Sequence, residues 1–238
     1  FQVHSLEGFG CEKRTALVGA AGGVLYYVRE GLHRPIGHVR SLRVNNPADY
    51  LVLDECTCLN LELLDIRGRS SISLAGVLDV TCTAMGGRLL RDWCLRPLAD
   101  AAGIRRRHDA VESLTRDRDR LSRFREAARE IRDLERLIAR IGGGSGNARD
   151  VRAVSQSLTA LPGVKDLLGN SACPLLRELA GAIKPLPDLV ALIDKAIVDE
   201  PPVTIREGGI IRREYRPELY ELRDLATGES FQIPEEGL

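Results

Sequence analysis

The chain has 238 residues, enough to bury a hydrophobic core in one large domain or two ordinary ones. Its 34 lysines and arginines balance its 34 aspartates and glutamates, so no overall field draws it to nucleic acid or to an anionic membrane. No apolar run approaches the roughly 20 residues of a membrane span, and no signal peptide is recognisable, so we expect a cytoplasmic chain without membrane contact.

Cysteine and histidine usage predicts neither a disulfide framework nor a metal site. No C-x-x-C pair occurs, which favours small buried side chains in a reducing compartment. The cysteines are Cys11, Cys56, Cys58, Cys82, Cys94 and Cys173. The histidines lie far apart in sequence, without a second ligand at a usual metal spacing. They are His4, His33, His38 and His108.

The first quarter of the chain mixes two patterns. Residues 1–11 alternate like a strand, and the small residues within 14–30 predict a helix that another backbone can approach closely. The alternation over 38–53 predicts two short strands around a turn at 45–47.

Beyond residue 64, apolar residues recur three or four apart, which is typical of amphipathic helices. The predicted helices are 84–95, 101–115, 118–141, 148–161, 175–183, 187–198 and 217–226. The third would be a continuous strut about 36 Å long. Its apolar stripe comprises Leu121, Phe124, Ala128, Ile131, Leu134, Ile138 and Ile141.

Two glycine-rich segments punctuate the helices. GGGSGN at 142–147 follows a helix and lacks the P-loop lysine, so it predicts a flexible connector rather than a phosphate site, with Asn147 capping the next helix. The segment 199–215 has a proline pair, β-branched residues and a glycine turn at Gly208 and Gly209. It predicts a small β-hairpin.

The stretch TAMGGRLLRDWCLRPL, at 83–98, could hold a phosphate or begin a packed helix. The P-loop pattern is absent here too, which favours the helix. Thr83 is then the N-cap, Gly86 and its neighbour Gly87 let another element approach, and Arg88 needs a carboxylate or carbonyl partner. The predicted core-facing stripe is Met85, Leu89 and Trp93, with Leu90 and Cys94 beside it.

The charged residues between 105 and 140 predict ion pairs rather than a catalytic or metal-binding site. Asp133 and Glu135, two apart on a helix, would point about 200° apart and could share neither a proton nor a metal, so an ion-pair cluster with Arg136 is expected. Twelve arginines face eight acids over 105–140. This excess leaves open an autonomous helical nucleic-acid-binding module, although a solvated helix surface is favoured because aromatic side chains are sparse. No motif predicts catalytic, cofactor-binding or metal-binding residues.

Six stretches carry a resemblance to a known family through their order and spacing. They are YLVLDECTCLNLELL (50–64), SLAGVLDVTCTAMGGRLLRDWCLRPL (73–98), RRRHDAVESL (105–114), RDLERLIARI (132–141), NARDVRAVSQSLTALP (147–162) and DEPPVTIREGGIIRREYRPELYELR (199–223). Together they resemble the core, or lever, domain of the MutS family of DNA mismatch-recognition ATPases. The chain departs from the usual family residues at Cys58, Glu214 and Tyr220.

This resemblance implies a mainly α fold: a multi-helix lever or core domain with long helices and a small β-hairpin at 36–228, preceded at 1–35 by the end of an α/β connector domain. Residues 229–238 stay unassigned. The family reads mismatches with an amino-terminal Phe-x-Glu motif, whereas Phe124 and Glu126 lie inside a predicted helix and are rejected as that motif.

The resemblance further implies that the chain is a middle fragment without its own enzymatic activity or cofactor. ATP and Mg²⁺ are expected in an ATPase domain outside it, and the fragment would couple ATPase state to DNA clamping. Expected partners of the full-length protein are mismatched duplex DNA, a MutL-like repair protein and a second copy. The candidate transmission residues are Thr83, Gly86, Arg88, Trp93, Asp133, Glu135, Arg136, Gly208 and Gly209.

Overall fold

A computed structural model describes residues 11, 14–37, 39, 42, 44, 47–65, 73–216, 218 and 222. The mainly α fold class is confirmed, because ten α-helices account for most of the described residues. The chain divides into two compact units, Phe1–Val52 with Leu98–Asp100 and Leu53–Pro97 with Ala101–Leu238. The domain boundaries predicted after residues 35 and 228 stay predictions.

The first unit contains the predicted small-residue helix. Helix α1 spans Thr15–Tyr26 and continues into one π-helical segment, Tyr27–Gly31, and no residue of α1 is buried within this chain. Pro47–Asp49 form a 3₁₀ turn, and Tyr50 pairs with Leu98 in a single antiparallel bridge. Much of the predicted strand pair at 38–53 lies outside the described residues.

The described residues of the second unit are mainly helical. Its helices are α2 (Glu55–Asn60), α3 (Leu74–Leu78), α4 (Ala84–Leu95), α5 (Ala101–Arg116), α6 (Arg118–Arg129), α7 (Leu134–Gly142), α8 (Ala148–Gly169), α9 (Pro174–Ala182) and α10 (Pro187–Ala196). The predictions for α4, α5, α9 and α10 are confirmed to within two residues. Most of the helix predicted at 217–226 lies outside the described residues.

Side-chain caps fix where several helices begin. The Thr83 hydroxyl accepts a hydrogen bond from the Gly86 amide at 3.0 Å, which confirms the predicted N-cap of α4. At α8, Asn147 and Asp150 exchange side-chain and backbone hydrogen bonds in a capping box. Each such cap satisfies amides that the helix itself leaves unpaired.

Helix α8 is the centre of this unit, with α6, α7, α9 and α10 packed against it. The buried cluster joins α5, α8 and α9, and consists of Ala110, Val164, Leu168, Cys173, Leu176 and Ala180. Phe124, Ala127 and Ile131 add side chains from α6 and the turn after it. The predicted packing role of Phe124 is therefore confirmed.

The prediction of one continuous strut over 118–141 is wrong. The chain leaves the helix after Arg129 and starts α7 at Leu134. In between, the Arg132 amide donates to the buried Ser157 hydroxyl of α8 at 3.0 Å, and the Asp133 side chain caps α7. These bonds replace the helical bonds of the broken turn. In the second half of the predicted stripe, Ile138 and Ile141 are exposed.

Helix α8 runs eight residues beyond the predicted end at 161. A proline inside a helix removes an amide and costs about 3 kcal/mol. Pro162 lies within α8, and the helix continues to bury Val164 and Leu168. Burying two such side chains contributes roughly 1.5 to 3 kcal/mol each, which offsets the cost of the proline.

The predicted hairpin at 199–215 is reduced to one antiparallel bridge between Ile197 and Ile211. The glycine turn is present, since Gly208 and Gly209 have φ values of +71° and +69°. This left-handed region favours glycine, which explains the pair. No longer ladder forms among the described residues here.

Replacing a core side chain of α9 should show how much the central cluster stabilises the fold. Leu176 is 4% exposed, so Leu176→Ala should lower the free energy of unfolding by about 2 to 5 kcal/mol in urea denaturation followed by helical circular dichroism. Leu179→Ala, three residues along at 49% exposure, is the matched control and should cost within about 0.5 kcal/mol. Equal losses would contradict this core assignment.

Candidate functional site

Arg88 of α4 binds two carboxylates from a segment 45 residues away. Its Nη1 and Nη2 donate to Oδ2 and Oδ1 of Asp133 at 2.8 and 2.7 Å, a bidentate pair. Its Nε and Nη2 also donate to Oε2 of Glu135 at 3.1 and 2.5 Å. The expectation that Arg88 needs a carboxylate is confirmed, and we call these three residues the Arg88 clasp.

Both carboxylates reach one guanidinium because the chain is not helical at Asp133. That residue is the N-cap of α7, with φ −69° and ψ 80°, and its side chain accepts from the Arg136 amide at 3.2 Å. Glu135 lies in the first turn of α7. The predicted 200° separation of the two acids is wrong, because it requires a helix through both and α7 begins only after Asp133. The positive end of the α7 dipole favours both charges.

Asp133 and Arg88 of the clasp keep their charges at physiological pH. Hydrogen bonds from Arg88 lower the pKa of Asp133 to about 2, and the Arg136 amide lowers it further in the same direction. The Asp133 carboxylate in turn raises the pKa of Arg88 above its ordinary value. Asp133 is the most sheltered member at 18% side-chain exposure. The pair of Arg88 and Asp133 therefore suits an electrostatic link rather than proton transfer.

The two glycines beside Arg88 make room, as predicted, but for a local neighbour. A Cβ on Gly86 would lie 2.9 Å from the Thr83 hydroxyl, and one on Gly87 would lie 3.2 Å from Oδ2 of Asp79. Gly87 is buried. Hydrogen bonds from Thr81 lower the pKa of Asp79. The first turn of α4 thus packs on the segment that precedes it.

The predicted core-facing stripe of α4 is wrong at two positions. Leu89 is 50% exposed and Trp93 is 41% exposed in this chain. The Arg107 guanidinium of α5 lies 3.7 Å from the Trp93 ring centroid, a cation–π contact. The side chains of α4 that are partly buried within the chain include Met85, Leu90 and Cys94. The indole therefore packs under a cation instead of in the core.

A second charged network, which sequence reasoning missed, joins α8, α10 and the bridge. Arg152 binds Asp194 at 2.5 Å and Asp199 at 2.8 Å, and its buried Nε has no hydrogen-bond partner among the described residues. Arg212 also binds Asp199, which lowers the pKa of that acid, and donates to the carbonyls of Asp194 and Ile197. No spacing in the sequence connects residues 152 and 212.

Gly208 and Gly209 turn the chain just before this network, whereas Thr83, Gly86 and the Arg88 clasp lie at the start of α4 and α7. Trp93 packs under Arg107 of α5, apart from both groups, so the structure does not gather the predicted transmission residues at one site. Their role in transmission stays a prediction.

Within the described residues, no three His, Cys, Asp or Glu side chains are arranged to hold a metal ion. In the same part of the chain, no helix is both long and apolar enough to cross a membrane. Cys11, Cys58 and Cys173 are buried, Cys56 is exposed, and none of the six cysteines forms a disulfide.

The described helices pack around α8, and arginine–carboxylate pairs link segments that are far apart in sequence. By its fold, the protein is therefore a mainly helical domain. The family model described as MutS domain III matches residues 56–231. Proteins named DNA mismatch repair protein MutS are 42% identical in Halothermothrix orenii, 44% in Symbiobacterium thermophilum and 39% in Methanococcoides burtonii. The first two alignments cover 95% of this chain and the third 96%, in each case 26% of the relative.

The chain belongs to the MutS family of DNA mismatch repair proteins, as the resemblance indicated. It spans about a quarter of the length of these relatives.

Neutralising Asp133 should reveal its charge in the pH dependence of stability. Asp133→Asn keeps a good N-cap but loses the ion pair with Arg88, so the variant should unfold at lower urea than wild type at neutral pH. Because the folded-state pKa of about 2 is below the unfolded value of about 4, this difference should be present above pH 4 and vanish as pH falls towards 2.

The matched control for this experiment is Asp117→Asn, which changes the N-cap of α6 outside the clasp. Its carboxylate pairs with Arg120 three residues away on its own helix, so we expect a smaller loss at neutral pH. Equal urea midpoints for wild type and Asp133→Asn at neutral pH would contradict a stabilising clasp.

Proposed function

We propose that this chain is a structural and allosteric lever of a MutS-like mismatch-recognition ATPase, coupling ATPase state to DNA clamping in the whole protein. The Arg88 clasp is the observation that carries the proposal. It joins α4 to α7 through a bidentate pair with one acid and a second pair with another. Bidentate geometry fixes orientation as well as distance.

Packing continues from the clasp into the body of the domain. Helix α7 lies against α8, and α8 lies against α10. Arg152 and Arg212 then join α8 and α10 to the bridge near Ile211. A displacement of α4 would be passed on through ion pairs and packed helices. A coupling element requires such a continuous set of contacts.

Coupling of this kind needs no chemistry in the lever. Two arrangements of the whole protein are enough if nucleotide and DNA stabilise them differently, and typical coupling free energies are about 1 to 3 kcal/mol. The clasp would contribute if its geometry is met in one arrangement and lost in the other. Its half-exposed arginine lets it break and reform in water.

The remaining parts of the activity belong to the whole protein. We place ATP and Mg²⁺ binding, and hydrolysis, outside this chain and assign the chain no catalytic residue. Mismatched duplex DNA, a MutL-like repair protein and a second copy of the protein are the proposed partners, in the cytoplasm. The names of the relatives support the mismatch-repair context.

A chimera tests the proposal. This chain would replace the matching segment of the Halothermothrix orenii relative, and ATP hydrolysis would be measured with mismatched, paired and no DNA. The Arg88→Gln chimera should keep its basal rate and lose about fivefold or more of its stimulation by mismatched DNA, since it loses a coupling contact.

Arg91→Gln in the same chimera is the matched control, because Arg91 lies one turn along α4 and pairs with Asp79 at 3.7 Å, outside the clasp. It should leave stimulation within twofold of the parent. Equal stimulation in both variants would remove the clasp from the mechanism. A parent chimera that folds and hydrolyses ATP but ignores mismatches would overturn the lever assignment.

A further inference from the structure

One face of α6 carries three exposed arginines without a carboxylate partner among the described residues. They are Arg118, Arg125 and Arg129. Their neighbours are used differently: Arg106 binds Glu178, Arg116 binds Glu112, and Arg123 lies near Asp119. The charge on this face is therefore not neutralised by the fold in the way that the surrounding helix surfaces are.

The three side chains share a direction. At 100° per residue, positions 118, 125 and 129 lie within about 40° of one another, and at 1.5 Å per residue they span about 16 Å along the axis. They line a cavity of about 410 Å³ together with Thr115, Leu121 and Ser122. We call this set the arginine face of α6.

Packing holds this face towards solvent. Phe124 and Ala127, which contact the central core cluster, are on the opposite side of α6, and Ala128 is buried. Ile131, in the turn after α6, contacts the same cluster. The acids Asp119 and Glu126 lie about 80 to 100° around the helix, on one flank. Glu126 accepts a hydrogen bond from the Ser122 hydroxyl at 3.3 Å, so the negative flank is close to one edge of the face.

We propose that the arginine face of α6 binds the phosphate backbone of duplex DNA without reading its sequence. Guanidinium groups pair with phosphate in a bidentate fork, so three of them on one face suit the oxygens of a phosphate backbone. A duplex offers one negative charge per 1.7 Å of axis, so about 16 Å of helix meets several phosphates. No aromatic ring lines the cavity, whereas single-strand grooves usually add stacking platforms.

This inference is independent of the proposed lever function. The arginine face contains none of the three clasp residues, and a lever can transmit displacement without touching DNA. The face would add a non-specific contact by which the helical domain follows the duplex.

Salt dependence of binding by the 238-residue chain tests the proposal. A short labelled duplex would be titrated at several salt concentrations, with wild type and Arg118→Gln/Arg125→Gln/Arg129→Gln compared. Each lost phosphate contact reduces the slope of log Kobs against log salt by about 0.9, so the triple variant should lose about 2.7 from the slope. Arg125→Gln alone should lose about 0.9.

The control variant is Arg106→Gln/Arg116→Gln/Arg123→Gln, which removes the same charge from arginines next to acids. It should leave the slope within about 0.9 of wild type, and circular dichroism should show unchanged helix content in both triple variants. Polyglutamate at equal charge should compete at least tenfold less well than unlabelled duplex.

Three results would overturn the assignment. One is a wild-type Kd weaker than about 0.1 mM at physiological salt, the weak end of ordinary non-specific binding. Another is an equal loss of slope in the two triple variants. The third is equal competition by polyglutamate, which would make the face a binding surface for acidic polypeptides instead.

Discussion

The Asp133 carboxylate is the group on which the arrangement of this domain depends. It caps α7 through the Arg136 amide and accepts two hydrogen bonds from Arg88 of α4. Asp133 thus starts α7, lies where the predicted continuous helix is interrupted, and links α7 to α4, which is far from it in sequence. The positive end of a helix and a guanidinium both favour the same negative charge, so the two roles reinforce each other. Loss of this charge would weaken a junction, whereas loss of a core leucine would weaken the whole unit.

Local chemistry made much of the fold predictable. The caps at Thr83 and Asn147, the glycine turn at Gly208 and the bounds of α4 follow from side chains close to the residues they affect. The break in the helix after Arg129 does not follow from nearby side chains. It involves a hydrogen bond from the Arg132 amide to the Ser157 hydroxyl, 25 residues further along the chain. Continuation through Pro162 likewise depends on what the following residues bury, which no local rule contains.

The sequence predicted that Arg88 would have a polar partner, but it did not predict which residues that partner would be. The position of Arg88 one turn into a helix required a partner, but only the fold could choose Asp133 and Glu135. The assumption of a helix through both acids placed them about 200° apart and so concealed their common partner, Arg88. Nothing in the sequence predicted the network of Arg152 and Arg212, because ion pairs between residues this far apart produce no regular spacing in the sequence. The resemblance to the MutS family, and not the spacing of residues, indicated the biological context.

The placement of Trp93 has an experimental consequence. It is the only tryptophan in the chain, it lies on the same helix as Arg88, and it packs under the Arg107 guanidinium while remaining partly open to water. An indole between a cation and solvent changes its emission when either neighbour moves. The chain therefore contains a built-in optical reporter of α4, which can follow movement of this helix without any attached dye.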